Sequence, residues 1–313
     1  MNEARYKYLE RICQLVEQGE QLVLVSSDYA APTLDEFRIK HKDRYVSVGI
    51  AEQNLIQVSC GLSLSGQRVI AYGMAPFPCI RTFDQIRNAV AIMNAPISIV
   101  SAGVGFAIPE FGVTHYCTED LALMRTIPNV RIINLTDEIM AQKVAELSLT
   151  TENPLYIRID KYSGGIIYKA EDIDFEKGFS VVRGGTDVTV VTSGYYTNRM
   201  IRIAEDLEKE DISVKVIDLF SIPFDEQEFM KETVGQNEIL SVEEHVLQGG
   251  LGSLLVELYN DKNIKTRVRR MGITYGNQYN SDFGSREYFI DKFGLNDDSI
   301  KCTIRSMMKE EIS

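Results

Sequence analysis

The chain has 313 residues, of which 44% are hydrophobic and 25% charged, and its formal net charge at pH 7 is −12. This composition is typical of a soluble globular protein with room for two domains, and it excludes a disordered chain. The acidic residues are spread along both halves. This argues against a nucleic-acid-binding protein, because such a protein needs a basic surface.

No apolar run approaches the roughly 20 residues that a membrane span needs, so we expect no membrane partner. Residues 1–19 are charged and amphipathic, which is typical of neither a signal peptide nor a transit peptide. The five cysteines are scattered and form no CxxC pair, which predicts neither a disulfide framework nor a zinc site. We therefore expect reduced thiols and a cytoplasmic location.

Short apolar runs alternate with helical patterns through the first half of the chain. Strands are predicted at 22–26, 45–48, 69–72, 97–101, 130–134 and 155–159, and helices near 33–41, 51–65, 81–93, 118–126 and 137–150. Regular alternation of this kind predicts an α/β domain, with a mostly parallel sheet that carries helices on both faces. We assign residues 1–162 to this first domain.

Residues 163–185 lack periodicity and are rich in glycine and acidic residues, which indicates a linker. A second alternation follows, with strands predicted at 188–192, 213–218, 239–242 and 266–271, and helices near 196–209, near 225–234 and from 250. The second domain, residues 186–313, is therefore predicted to be a smaller α/β unit, so that the fold class is α/β with two mostly parallel sheets.

The segment 45–64 carries the first candidate site residue. Its apolar run ends at Gly49, and apolar residues then recur at 51, 55, 58 and 62, which is helical spacing. Glu52 lies in the first helical turn, where free backbone N–H groups and the helix dipole favour a carboxylate. By itself this pattern fits either a helix-terminal acid without function or a site residue.

The segment 49–54, Gly-Ile-Ala-Glu-Gln-Asn, resembles the one that carries the catalytic glutamate in the pyrimidine-binding domain of transketolases and 1-deoxyxylulose-5-phosphate synthase. The resemblance implies thiamine diphosphate as the cofactor, with Glu52 hydrogen-bonded to N1′ of its aminopyrimidine ring and thereby activating it. The second half is similar to the transketolase C-terminal domain, at 189–193, 214–220 and 241–253. The resemblance thus covers nearly the whole chain.

Four further residues match positions with known roles in that family. Phe77 corresponds to the aromatic residue that stacks on the aminopyrimidine, and Asp28 to an aspartate on the cofactor side. His115, in Phe-Gly-Val-Thr-His, corresponds to a catalytic and substrate-binding histidine. Arg158 corresponds to an arginine that binds a substrate phosphate through its two-pronged guanidinium. A core phenylalanine, a structural histidine and a surface ion pair are the alternatives for the residues at 77, 115 and 158.

Phe111 stands where the family commonly has an aspartate that contacts a substrate hydroxyl. An apolar ring cannot accept that hydrogen bond. The difference predicts a changed substrate or a loss of activity.

The family's Gly-Asp-Gly motif, followed at some distance by Asn, binds Mg²⁺ and the diphosphate, and it occurs nowhere in the chain. The resemblance therefore implies a split transketolase. A separate N-terminal subunit would hold Mg²⁺, and two such pairs would form a heterotetramer that contains a homodimer of this chain. We expect no metal ligands in this chain itself.

The implied reaction transfers a two-carbon ketol unit between sugar phosphates. A second interpretation is a subunit like 1-deoxyxylulose-5-phosphate synthase or the E1β subunit of 2-oxo acid dehydrogenases, which would decarboxylate a 2-oxo acid. A third, of another class, is a non-catalytic regulatory or assembly partner. Phe111 keeps the third interpretation open, whereas Glu52 argues against it.

Overall fold

The computed structural model describes residues 4–27, 32–162 and 164–310. The first half of the chain forms strands β1 (Leu22–Ser26), β2 (Tyr45–Ser47), β3 (Arg68–Met74), β4 (Ile97–Ala102), β5 (Arg131–Asn134) and β6 (Leu155–Ile159). Its helices are α1 (Ala4–Glu17), α2 (Pro32–Lys40), α3 (Glu52–Leu64), α4 (Phe83–Gln85), α5 (Asp120–Met124) and α6 (Glu138–Thr150). Strands β1, β4 and β6 are buried at every position, as their continuous apolar runs predict.

The second half forms strands β7 (Phe179–Arg183), β8 (Val188–Thr192), β9 (Val214–Leu219), β10 (Ser221–Ile222), β11 (Glu238–Val246) and β12 (Arg267–Ile273). Its helices are α7 (Tyr195–Glu208), α8 (Glu226–Thr233), α9 (Leu251–Asp261), α10 (Arg286–Lys292) and α11 (Asp297–Glu310).

These strands make two sheets. The first has seven strands in the order β10-β5-β6-β4-β3-β1-β2, and the second has five in the order β12-β11-β8-β9-β7. All neighbouring strands are parallel except β10 with β5 and β7 with β9. The predicted fold class, two mostly parallel sheets with helices, is confirmed.

The structure also differs from the predictions in detail. Strand β7 lies inside the segment 163–185, for which the sequence predicts a linker, and it pairs only with β9 at the edge of the second sheet. A short edge strand between glycine-rich turns leaves little periodic signal. The predicted helix 81–93 is the short α4 followed by a π-helical stretch, Ile86–Ala91. The sequence predictions include neither α10 nor α11, although Ile300, Ile304 and Met307 on α11 are buried at helical spacing.

The core is continuous between the sheets. Strand β10 follows β9 almost directly, yet it pairs with β5 of the first sheet, so the chain crosses from one sheet to the other at Phe220. Ile132 of the first sheet and Leu219 of the second belong to one cluster of buried side chains. Consequently the loops at the boundary are positioned by both sheets. None of the helices in the described ranges combines the length and the hydrophobicity that a membrane span requires.

Candidate active site

Glu52 is the first residue of α3. Strand β2 ends at Ser47, and Gly49 takes a φ of +68°, a conformation that glycine adopts readily and that reverses the chain before α3. The predicted strand, turn and helix are therefore present. The Glu52 side chain is only 5% exposed although it lies at a helix terminus. A buried carboxylate is costly unless it is paired, so its partner matters.

That partner is Arg81, which the sequence predictions do not include. Arg81 Nη1 donates a hydrogen bond to Glu52 Oε2 at 2.6 Å, whereas the Arg81 side chain remains 46% exposed. Arg81 is the one charged residue between Met74 and Thr82 in the sequence, in an otherwise largely apolar segment. That isolated charge distinguishes Arg81 in the sequence, but no neighbouring residue indicates which acid it pairs with.

Phe77 lies beside this ion pair, in the loop after β3. The guanidinium carbon of Arg81 lies 4.3 Å from the centre of the Phe77 ring. A cation placed over a ring face is attracted by the negative charge of that face. The ring of Phe77 is half-buried, so it is neither a core residue nor fully open to solvent.

His115 approaches Phe77 from the loop between β4 and α5. The two rings pack edge to face with their centres 5.1 Å apart, and the ring of Phe111 lies 5.0 Å from His115 on another side. His115 Nδ1 also hydrogen-bonds the Thr114 hydroxyl at 3.0 Å. Burial, and then the positive charge of Arg81, lower the pKa of His115 below its ordinary value of 6.5, so that the ring is neutral at pH 7.

These five side chains form one contiguous group, which we name the Glu52 cluster: Glu52, Phe77, Arg81, Phe111 and His115. The structure thus brings together three of the predicted site residues, at positions 52, 77 and 115. The group offers a buried carboxylate and an aromatic face that both contact Arg81, and a neutral imidazole that packs against the same aromatic ring. This set suits a flat heterocycle that carries a hydrogen-bond donor, next to a polar substrate.

The segment between β12 and α10 supports the His115 loop. Gly112 has a φ of +79°, and a Cβ atom on it would lie 2.5 Å from the ring of Phe283. The hydroxyl of Tyr116 donates to the backbone carbonyl of Asp282 at 2.9 Å. The position of His115 therefore depends on the segment between β12 and α10, although that segment is distant in sequence.

Arg158 lies in a different group of contacts. It is 6% exposed and donates to Asp120 twice, from Nε to Oδ2 at 2.7 Å and from Nη2 to Oδ1 at 3.0 Å. Burial by itself would raise the pKa of Asp120, but the charge and hydrogen bonds of Arg158 lower it below the ordinary value. Tyr156 adds a further hydrogen bond to the same carboxylate. Asp120 thus holds the Nε and Nη2 edge of the guanidinium, and the assignment of Arg158 to a substrate phosphate stays a prediction.

A small cavity of about 50 Å³ lies between the two sheets, and Arg158, Asp160, Glu243, Glu244 and His245 line it. His245 donates to Val246 O at 2.7 Å and accepts from Ala122 N–H at 3.3 Å, an arrangement that requires a neutral ring. Burial lowers the pKa of His245 to about 4, in agreement with that requirement.

Two further predictions concern the cofactor and the metal: Asp28 as a cofactor-side residue, and no metal ligands in this chain. Asp28 lies outside the described residues. In the parts of the chain that the structure describes, no group of three or more His, Cys, Asp or Glu residues could hold a metal ion.

Comparisons with known proteins match both halves of the chain to domains of one protein family. The family model of the transketolase pyrimidine-binding domain matches residues 4–165, and that of the transketolase C-terminal domain matches residues 178–300. A putative transketolase C-terminal section from Methanocaldococcus jannaschii is 29% identical, over 98% of this chain and 96% of its own length.

Two further similarities concern divided enzymes. One of the subunits of the apulose-4-phosphate transketolase of Phocaeicola vulgatus is 28% identical, over 93% of this chain and 94% of its own length. Among solved structures, a split-gene transketolase described as an inactive beta4 tetramer superposes with a TM-score of 0.85 at 26% identity, over 99% of each chain.

Proposed function

The chain belongs to the transketolase family, and we propose that it is the C-terminal subunit of a thiamine diphosphate-dependent two-component transketolase. Its reaction would be the transfer of a two-carbon ketol unit between sugar phosphates. The similar proteins that are named as a C-terminal section and as one subunit of a transketolase match this chain over nearly their whole lengths. This agreement in length supports a divided enzyme.

The observation that carries the proposal is the buried carboxylate of Glu52 beside the ring of Phe77. A planar, donor-bearing group already fits between them, because the Arg81 guanidinium donates to Glu52 at 2.6 Å while lying over Phe77. The aminopyrimidine of thiamine diphosphate is also planar and can donate from its ring nitrogen. The residues present therefore fit this half of the cofactor.

Each residue of the site has a distinct task in this proposal. Glu52 accepts the hydrogen bond from the aminopyrimidine N1′, and Phe77 stacks on that ring and excludes water from one of its faces. His115, neutral at pH 7, donates to or accepts from a sugar hydroxyl. When bound, thiamine diphosphate supplies the carbon nucleophile that carries the two-carbon unit.

Arg158 remains the predicted ligand of a substrate phosphate, with its Nε and Nη2 already held by Asp120. Asp28 remains a predicted cofactor-side residue. We assign Mg²⁺ and the diphosphate to an N-terminal partner subunit, and we expect two such pairs to form a heterotetramer. The solved relative that is described as inactive is a beta4 tetramer, which supports an inactive state for this chain without its partner.

The test reconstitutes the chain with its N-terminal subunit and supplies thiamine diphosphate and Mg²⁺. We expect turnover with a ketose phosphate donor and an aldose acceptor. Release of carbon dioxide from pyruvate would instead support the 2-oxo acid interpretation. A pair that binds the cofactor but turns over neither donor would support the non-catalytic interpretation.

Glu52→Gln tests the assignment of the carboxylate. We expect at least a ~100-fold loss of turnover with subunit pairing intact, the size typical of a lost acid–base group. Glu138→Gln is the matched control, because Glu138 is also a buried glutamate at the first position of a helix. Full activity of Glu52→Gln would refute the proposed site.

A further inference from the structure

Arg81 makes the two contacts that the proposed function gives to the cofactor ring. Its guanidinium donates to Glu52 Oε2 at 2.6 Å, and its central carbon lies 4.3 Å from the centre of the Phe77 ring. The group is flat, delocalised and rich in N–H donors, so it is suited both to a carboxylate and to an aromatic face. A flat ring that stacks on this face of Phe77 and bonds this oxygen of Glu52 would overlap the guanidinium.

We propose that Arg81 occupies the place of the aminopyrimidine ring while the site holds no cofactor, and that it is displaced when the cofactor binds. The inference rests on the proposed function, since it assigns the same carboxylate and the same ring to thiamine diphosphate. Arg81 thereby keeps the site closed in the absence of the cofactor. Cofactor binding is coupled to the release of one ion pair.

The difference in burial between the two partners explains why Arg81 can play this part. The Glu52 side chain is 5% exposed, and it needs a counter-charge whenever no ligand is present. The Arg81 side chain is 46% exposed, so it can leave the carboxylate and remain hydrated. The buried acid stays in place while its half-exposed partner moves.

The competition predicts a specific change in affinity. When only a fraction of the molecules has an open site, the apparent Kd of the ligand equals its intrinsic Kd divided by that fraction. If Arg81 holds the site in about 90% of the molecules, removing its charge should lower the Kd for thiamine diphosphate about tenfold. A residue that instead helped to bind the cofactor would raise the Kd when it is removed.

The experiment measures thiamine diphosphate binding by isothermal titration calorimetry to the reconstituted pair with Mg²⁺ present. Arg81→Met keeps an unbranched side chain but removes the guanidinium, and we expect it to bind the cofactor about tenfold more tightly than the wild type. Arg87→Met removes the same charge from an exposed position nearby and should leave the Kd unchanged. An unchanged or weaker affinity of Arg81→Met would overturn the inference.

Two further measurements separate this inference from the proposed function. If the wild-type pair binds no thiamine diphosphate, the proposed function itself fails; if it binds and Arg81→Met does not tighten, only the inference fails. In a Glu52→Gln background the gain from Arg81→Met should shrink, because the two residues act through one contact. A gain of the same size in both backgrounds would show that Arg81 acts elsewhere, against the inference. Thermal unfolding of each variant checks that it is folded.

Discussion

Arg286, at the start of α10, forms a double hydrogen bond with Asp160, which directly follows β6 of the first sheet: Nη1 to Oδ1 is 2.9 Å and Nη2 to Oδ2 is 2.6 Å. The same guanidinium binds Glu244 of β11, with Nε to Oε1 at 2.9 Å. It also lies 3.5 Å from the centre of the Tyr195 ring. One arginine therefore neutralises two buried carboxylates and ties the two sheets together.

Arg286→Met should destabilise the chain by about 3–5 kcal/mol, because it leaves two buried carboxylates without a counter-charge. Urea unfolding measures the change. Arg305→Met is the control, since Arg305 forms an exposed pair with Glu210 and its removal should cost far less stability than the removal of Arg286. Equal effects of the two substitutions would contradict the bridging role.

Glu243 should make the stability of the chain depend on pH. Its carboxylate accepts from the backbone N–H groups of Leu251 and Gly252 at 2.6 and 2.8 Å, at the start of α9. Burial outweighs these hydrogen bonds and raises the pKa to about 7, from the ordinary 4.5. Between pH 4.5 and about 7 the folded state therefore binds more protons than the unfolded state, so this group lowers the free energy of unfolding as pH rises.

Glu243→Gln removes that titration. The free energy of unfolding of the variant, minus that of the wild type, should rise by about 3 kcal/mol from pH 4.5 to pH 7. Urea unfolding at a series of pH values measures the difference. Glu171→Gln, at an exposed position, is the control for the loss of one glutamate charge. A flat difference curve for Glu243→Gln would show that its carboxyl titrates alike in both states.

His115 should titrate below the ordinary histidine value. The chain contains three histidines, so that NMR can follow each ring separately, and His115→Asn assigns the signal. We expect a pKa below 6.5 in the wild type and a higher one in Arg81→Met, because the charge of Arg81 contributes to the shift. Arg87→Met should leave the value unchanged. A wild-type pKa above 6.5 would place the ring outside the Glu52 cluster.

The cysteines should differ in their reactivity. Cys302 is exposed, whereas Cys13, Cys60, Cys79 and Cys117 are buried. Burial also raises the pKa of Cys13 to about 11 and that of Cys117 well above the ordinary value, so neither forms the reactive thiolate at neutral pH. A brief treatment of the folded chain with iodoacetamide, followed by peptide mapping, should label Cys302 alone. Rapid labelling of Cys79 or Cys117 would indicate that the loops of Phe77 and His115 open.

The sequence by itself determined the local structure around Glu52. A strand, a glycine turn and a helix depend on neighbouring residues, so hydrophobic spacing and Gly49 were enough to place the carboxylate at the start of α3. The alternation of strands and helices likewise determined the fold class, because parallel strands require crossover connections. The edge strands β7 and β10 were not predicted, since β7 is only partly buried and β10 has two residues.

Only the tertiary structure decided which charges meet. Arg81 pairs with Glu52 across 29 positions, Arg158 with Asp120 across 38, and Arg286 with Asp160 across 126. Nothing near any of these arginines in the sequence identifies its partner. A buried charge must be paired, but the packing of the whole chain selects the partner, since it determines which distant loops share the same low-dielectric space.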